Sequence, residues 1–234
     1  TGDAGLLEIA QRQYDTALAR RTYLTGGMGS HHQDEAFGDD FELPPDRSYC
    51  ETCAGIGSIM VAWRLLLATG ELGYGDVIER TLYNIVAASP AEDGKGFFYS
   101  NTLHRRTPAT AADPDVQVPR ANSSLRAPWF EVSCCPTNVA RTLASLAGYL
   151  AVRTDDGVAI VQYGPSTMRL DGISLRVETD YPYDPEVRVS IDEAEVPFAL
   201  DLRIPAWAEG ATVDGSPVAP GAHRVDGVSA GDVV

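Results

Sequence analysis

Cys50-Glu51-Thr52-Cys53 and Cys134-Cys135-Pro136 hold all four cysteines of this 234-residue chain. Two separated thiol pairs beside a carboxylate are the sequence pattern of a tetrahedral Zn2+ site. Competing readings are disulfides between the clusters, or unrelated buried thiols. Adjacent cysteines bridge each other only with strain, because bridged Cα atoms sit about 4.4–6.8 Å apart with a fixed torsion. A chain of this length needs no disulfides to hold a core, so metal is favoured. Two donor sets are open. Cys50, Cys53, Cys134 and Cys135 would make a closed all-cysteine site, which the Cys-x-x-Cys spacing prefers. Exchanging Cys50 for Glu51 gives three thiolates and one carboxylate, an unusual shell that suggests a second job for one thiolate. Glu51 and Cys53 share a face on extended backbone but diverge by about 200° on a helix, so the second set needs a helix that begins just after them. Pro136 is a favoured early helical residue and biases Cys135 toward extended geometry. Cys134 and Cys135 then lie at a helix N-terminus, where the dipole and free N–H groups favour thiolate.

Other side chains are ambiguous by themselves. Glu35, beside a glycine-rich turn and His31-His32, could serve as a general acid, although a loop carboxylate is usually just solvated. His32 reads by default as a polar loop residue, and Tyr99 as a core residue. A redox role for Cys50 and Cys53 lacks the βαβ pattern in which such dithiols sit.

The elements that must position these groups change character along the chain. Residues 5–21 carry a helical pattern through Leu6, Ile9, Ala10, Tyr14, Ala17 and Leu18. A second helix is predicted over 54–69, with Ile56, Ile59, Met60, Trp63, Leu66 and Leu67 as its apolar side, and Gly70 stops it. A third spans about 75–89, and a fourth begins at Pro136 with Val139, Leu143, Leu146 and Leu150 on one side. Phe97-Phe98-Tyr99 is a short strand candidate, and 104–130 is a long loop. After Leu150, short apolar runs at 158–161, 173–177, 187–191 and 198–204 are separated by turn residues and predict an antiparallel sandwich. The chain thus divides into a helical part, 1–150, and a β part, 151–234.

A net charge of −15 argues against nucleic acid and against an anionic membrane surface, while neutral ligands such as sugars remain compatible. No run of about 18 apolar residues is present, so no membrane span is expected. Thr1-Gly2-Asp3-Ala4 has neither Met nor a signal-like segment, and Gly231-Asp232-Val233-Val234 reads like the start of a strand. The expectation is a fragment cut at both ends, from a cytoplasmic protein, with a homodimer of the full-length form left open.

Tyr23-Leu24-Thr25-Gly26-Gly27-Met28-Gly29-Ser30, Glu35-Ala36-Phe37, Leu43-Pro44, Tyr49-Cys50-Glu51-Thr52-Cys53-Ala54 and Ser133-Cys134-Cys135-Pro136 form an ordered series. Together they resemble the β-L-arabinofuranosidases of glycoside hydrolase family 127. Leu202-Arg203-Ile204-Pro205-Ala206-Trp207 also resembles that family's β-sandwich, so the likeness runs through nearly the whole chain. The resemblance implies part of an (α/α)6 barrel followed by a β-sandwich, and a retaining glycosidase acting on an arabinofuranosyl end of a small or oligosaccharide substrate. It also implies zinc on Glu51, Cys53, Cys134 and Cys135, Cys134 as nucleophile, Glu35 as acid/base, and Tyr99 and His32 as sugar contacts. Four helices cannot build a twelve-helix barrel, so the chain carries these residues without the rest of the pocket. The alternative from another class is a carbohydrate-binding module whose zinc only holds the fold.

Overall fold

The computed structural model describes residues 2–106, 113, 115–116, 118–119 and 125–234. Much of the loop expected over 104–130 lies outside the described residues. Contacts divide the chain into two compact units, Thr1–Leu65 with Val77–Ala144, and Leu66–Asp76 with Ser145–Val234.

Four α-helices are found among the described residues: α1 Ala4–Arg20, α2 Thr52–Thr69, α3 Tyr74–Thr81 and α4 Cys134–Ala144. Asp3 caps α1 by accepting from Gly5 N and Leu6 N at 2.9 and 3.2 Å. Of the apolar side of α1, only Tyr14 is buried, while Leu6 and Ile9 are 55% and 43% exposed. In α2 the buried apolar side chains are Ile56, Ile59, Ala62, Leu65 and Leu66. Of the apolar side expected along Ile56, Ile59, Met60, Trp63, Leu66 and Leu67, Ile56, Ile59 and Leu66 are inside, while Leu67 is 56% exposed. The reason is composition: α2 is apolar on most sides, so periodicity alone does not tell which side faces the core. By length and composition alone α2 would suffice to cross a bilayer, although Ser58 and Arg64 interrupt its apolar run. Of this helix 44% is buried inside the protein. The segment after α3 continues as a π-turn, Leu82–Val86, within the span read as one helix.

Two short strands, β1 Phe97–Phe98 and β2 Arg126–Ala127, pair antiparallel. The remaining strands are β3 Ala151–Arg153, β4 Gly157–Ile160, β5 Ser166–Leu170, β6 Ile173–Thr179, β7 Val187–Ala194, β8 Phe198–Ile204, β9 Thr212–Val213, β10 Ser216–Pro217 and β11 Gly221–Val228. One sheet runs β11-β8-β4-β3 and another β5-β6-β7, and β9 and β10 form a separate small pair. Val158, Ile160, Leu200 and Leu202 of the first sheet share a core cluster with Leu175, Val177, Val189 and Ile191 of the second. The purely antiparallel expectation fails at one place, because β4 and β8 pair in parallel, with Val158 opposite Leu200. A parallel neighbour requires a long crossover, and here the whole of β5–β7 supplies it.

Candidate metal and catalytic site

The glycine-rich turn after α1 packs onto the Tyr49–Cys50 segment. Tyr49 N and Cys50 N both donate to Gly29 O, at 3.1 and 3.2 Å. A Cβ on Gly27 would lie 2.7 Å from Cys50 Sγ, so only glycine leaves room for that buried thiol. Cys50 has φ +38, and its carbonyl accepts from Asn101 Nδ2 at 2.9 Å. This bend turns the chain so that Glu51 bridges Ser100 and Thr52 N donates to Tyr99 O at 3.0 Å. Glu51 and Tyr99 are thereby held side by side.

Gly55 N donates to Glu51 O at 3.1 Å, so α2 starts on Glu51 and Cys53 stands in its first turn. The helix therefore begins between the two residues and not after them. Glu51 can still join Cys53, because a capping residue is not bound by helical spacing. Cys134 and Cys135 likewise occupy the first turn of α4, where Cys135 was expected to be extended. A first-turn proline lacks only an N–H that would be unpaired anyway, and this outweighs its bias on the preceding residue.

One ligand atom from each of Glu51, Cys53, Cys134 and Cys135 lies within 4.8 Å of every other. Cys53 Sγ is 3.6 Å from Cys135 Sγ, Cys134 Sγ is 3.8 Å from Cys135 Sγ, and Cys134 Sγ is 3.4 Å from Glu51 Oε1. A tetrahedron with metal–sulfur bonds of about 2.3 Å has sulfur–sulfur edges of about 3.8 Å. The donor set therefore fits Zn2+ in both chemistry and spacing. All four cysteines are free, and Cys50 turns away to the glycine loop.

The thiols do not share their protons equally. The Cys135 thiol, then the Asn138 amide, hydrogen-bond to Cys53 and hold it down to about 7. Hydrogen bonding to Cys53, with burial, pushes Cys135 up, and burial pushes Cys134 up to about 11. Burial first, then Cys53 and Glu51, thus act on Cys134 against the thiolate bias expected at a helix N-terminus. Burial also raises Glu51. The protein alone thus disfavours four anionic donors in one place, and a divalent cation is what would relieve them.

Tyr99 is buried, with its hydroxyl 3.5 Å from Cys134 Sγ and its ring against Tyr49 and Phe130. His32 stands edge-on to Tyr49 with centroids 5.0 Å apart, and burial pushes its pKa down. Glu35 is exposed, and its Oε1 accepts from Tyr49 Oη at 2.9 Å. Asp34 and Glu35 have φ +60 and +51, a left-handed pair that costs about 1–3 kcal/mol each without glycine. The structure therefore gathers Glu51, Cys53, Cys134, Cys135 and Tyr99, and links Glu35 and His32 to them through Tyr49.

Tyr49 and Asn138 are site residues that sequence reasoning passes over. Asn138 Nδ2 lies 2.9 Å from Cys53 Sγ, and Arg141 donates to Asn138 Oδ1 at 2.7 Å. Helical spacing offers a signal for Asn138, since positions three and four after the cysteines lie on their side of α4.

Residues 1–148 match the profile described as the β-L-arabinofuranosidase GH127 catalytic domain, and 157–227 match the GH127 middle domain. The chain belongs to glycoside hydrolase family 127. It is 34% identical over 228 residues to the non-reducing end β-L-arabinofuranosidase of Bifidobacterium longum subsp. longum, covering 92% of this chain and 34% of that protein. Its fold is similar to the crystal structure of a GH127 β-L-arabinofuranosidase from Geobacillus stearothermophilus T6, with a TM-score of 0.82 and 34% identity, over 99% of this chain and 38% of that one. A GH127 β-arabinofuranosidase, BT3674, gives a TM-score of 0.74 at 33% identity, over 94% of this chain and 37% of that one. The chain thus spans little more than a third of the length of these relatives.

Proposed function

We propose that this chain carries the nucleophile, acid/base and metal ligands of a retaining glycosidase that removes β-L-arabinofuranosyl groups from non-reducing ends. Residues 1–150 are then the C-terminal part of an (α/α)6-barrel catalytic domain, and 151–234 a β-sandwich domain. The observation that carries the reading is the convergence of three thiols and a carboxylate within 4.8 Å, beside an aromatic path that ends on Glu35. Glu51, Cys53, Cys134 and Cys135 would hold Zn2+, which when bound lowers the thiol pKa and neutralises the crowded negative charge.

Cys134 is the thiol suited to attack, because it is more accessible than Cys53 and Cys135. Its sulfur forms a bond to the anomeric carbon as Glu35 gives a proton to the departing oxygen. Glu35, now a carboxylate, takes a proton from water, and the resulting hydroxide oxygen displaces sulfur from the same carbon. Two inversions give retention. Tyr99 and His32 would face the sugar, with the Tyr99 hydroxyl beside the attacking sulfur.

In the full-length polypeptide, Cys134→Ser should abolish turnover of a β-L-arabinofuranoside with bound zinc measured alongside. Glu35→Gln, given an aryl arabinofuranoside, should accumulate a glycosyl adduct on Cys134 visible by intact mass, because deglycosylation has lost its base. Activity that survives Cys134→Ser, with no adduct in Glu35→Gln, would replace this reading with a zinc that only holds the fold.

A further inference from the structure

Tyr49 is 1% exposed, yet its hydroxyl reaches the exposed carboxyl of Glu35 at 2.9 Å. The ring is fixed from several sides. Its backbone N donates to Gly29 O, its ring sits edge-on to His32, and it belongs to a cluster with Phe97, Tyr99, Phe130 and Cys135. Tyr99 tilts against it with centroids 6.2 Å apart, and the Tyr99 hydroxyl in turn lies 3.5 Å from Cys134 Sγ. A buried phenol is thus aimed at a carboxyl on a left-handed surface loop, and the same aromatic cluster reaches the nucleophile's sulfur through the Tyr99 hydroxyl.

We propose that Tyr49 is a positioning residue for the reaction: its hydroxyl fixes Glu35 Oε1, so that the acid/base keeps a set place relative to Cys134. This rests on the proposed roles of Glu35 and Cys134. The held oxygen accepts from tyrosine, and the other oxygen carries the proton that moves to and from the leaving group. A general acid contributes only when its proton lies within hydrogen-bond reach of the leaving oxygen, and a misplacement of about 1 Å can cost about 100-fold. The plain alternative is that Tyr49 is a core residue whose hydroxyl takes the nearest acceptor.

The two differ in how the loss depends on the leaving group. The test compares kcat/KM of Tyr49→Phe with wild type and Glu35→Gln in the full-length, zinc-loaded polypeptide. The probes are a nitrophenyl and an alkyl β-L-arabinofuranoside. Tyr49→Phe should lose about 10- to 100-fold on the alkyl substrate and no more than about twofold on the nitrophenyl one, in the same direction as Glu35→Gln. The ratio between substrates does not depend on how much of the variant is folded. Equal losses on both substrates, or none on either, while Glu35→Gln keeps its leaving-group dependence, would overturn the role of Tyr49 alone. A Glu35→Gln variant without that dependence would remove the acid/base assignment, and this inference with it.

Discussion

Asn138→Ala should weaken Zn2+ binding about 10- to 100-fold while leaving α4 intact. Asn138 Nδ2 sits 2.9 Å from Cys53 Sγ, a short contact for a sulfur acceptor. The amide cannot turn away easily, because Arg141 donates to its oxygen at 2.7 Å. Cys53 is the thiol held down to about 7, and of the contacts that lower it the Asn138 hydrogen bond follows the one from Cys135, against an opposing effect of burial. A hydrogen bond to a charged group contributes about 1.5–3 kcal/mol, and about 1.4 kcal/mol is tenfold in affinity. The site is half-buried, which places the effect in the lower half of that range. Alanine is a better helix former than asparagine, so loss of the helix does not confound the result. Competition against a chromophoric chelator at fixed pH gives the affinity, and alkylation of the zinc-stripped protein should show the Cys53 thiol titrating above its wild-type value of about 7. Arg141→Met, which frees the amide without deleting it, should fall between. An affinity changed by less than about threefold would refute the argument that this amide supports the thiolate.

Asp76→Ala should destabilise the unit that contains it by about 1.5–3 kcal/mol, because it removes a charged hydrogen-bond acceptor from a buried guanidinium. Arg203 is 1% exposed and donates to Asp76 Oδ1 at 2.6 Å and Val161 O at 2.5 Å. The 29% exposure of Asp76 points to the low end, and adding Arg203→Met should recover part of the loss in urea unfolding. The fold should also weaken in alkali. Tyr14, bonded to Ser58 at 2.7–2.8 Å, is pushed up to about 12 by burial, and Cys50 likewise to about 12. Both folded values lie above the unfolded ones, so their contributions are whole below pH of about 9 and vanish as pH rises through 12. Tyr14→Phe should flatten the part of the melting-temperature decline between about pH 10 and 12, and a slope unchanged by that variant would count against it.

The helices α1 to α4 and strands β4, β6, β7 and β8 are legible because their apolar residues recur at helical or strand spacing. Strand β11 is not, since Gly221-Ala222-His223-Arg224 sits on a sheet edge and leaves its side chains mostly exposed. Edge strand β5 also escapes, because Met168 and Leu170 are its only large apolar residues and none of its side chains is fully buried. The parallel β4–β8 pair is invisible locally, as nothing near Gly157 encodes a partner beginning at Phe198. Of the candidate site, the cysteines and Glu51 announce themselves by type and spacing. The protonation pattern does not, because the groups that push Cys134 upward come from the start of α2, a distant part of the sequence. Tyr49 illustrates the same limit: by composition it is one more core aromatic, and only the fold aims its hydroxyl at Glu35.

The 3.6 Å gap between the sulfurs of Cys53 and Cys135 makes the site fragile as well as capable. The two residues are 82 positions apart, so a bond between them ties off a loop whose closure restricts the unfolded chain by about 4–5 kcal/mol. An oxidant such as peroxide needs to remove only the two thiol hydrogens and draw the sulfurs together to about 2.05 Å. The product would keep the starts of α2 and α4 fastened, and so melt like sound protein, while lacking two of its four donors. Purification in air can then yield material that passes every test of folding and binds no metal. A reductant present before zinc is added distinguishes that dead end from a chain that never had the site.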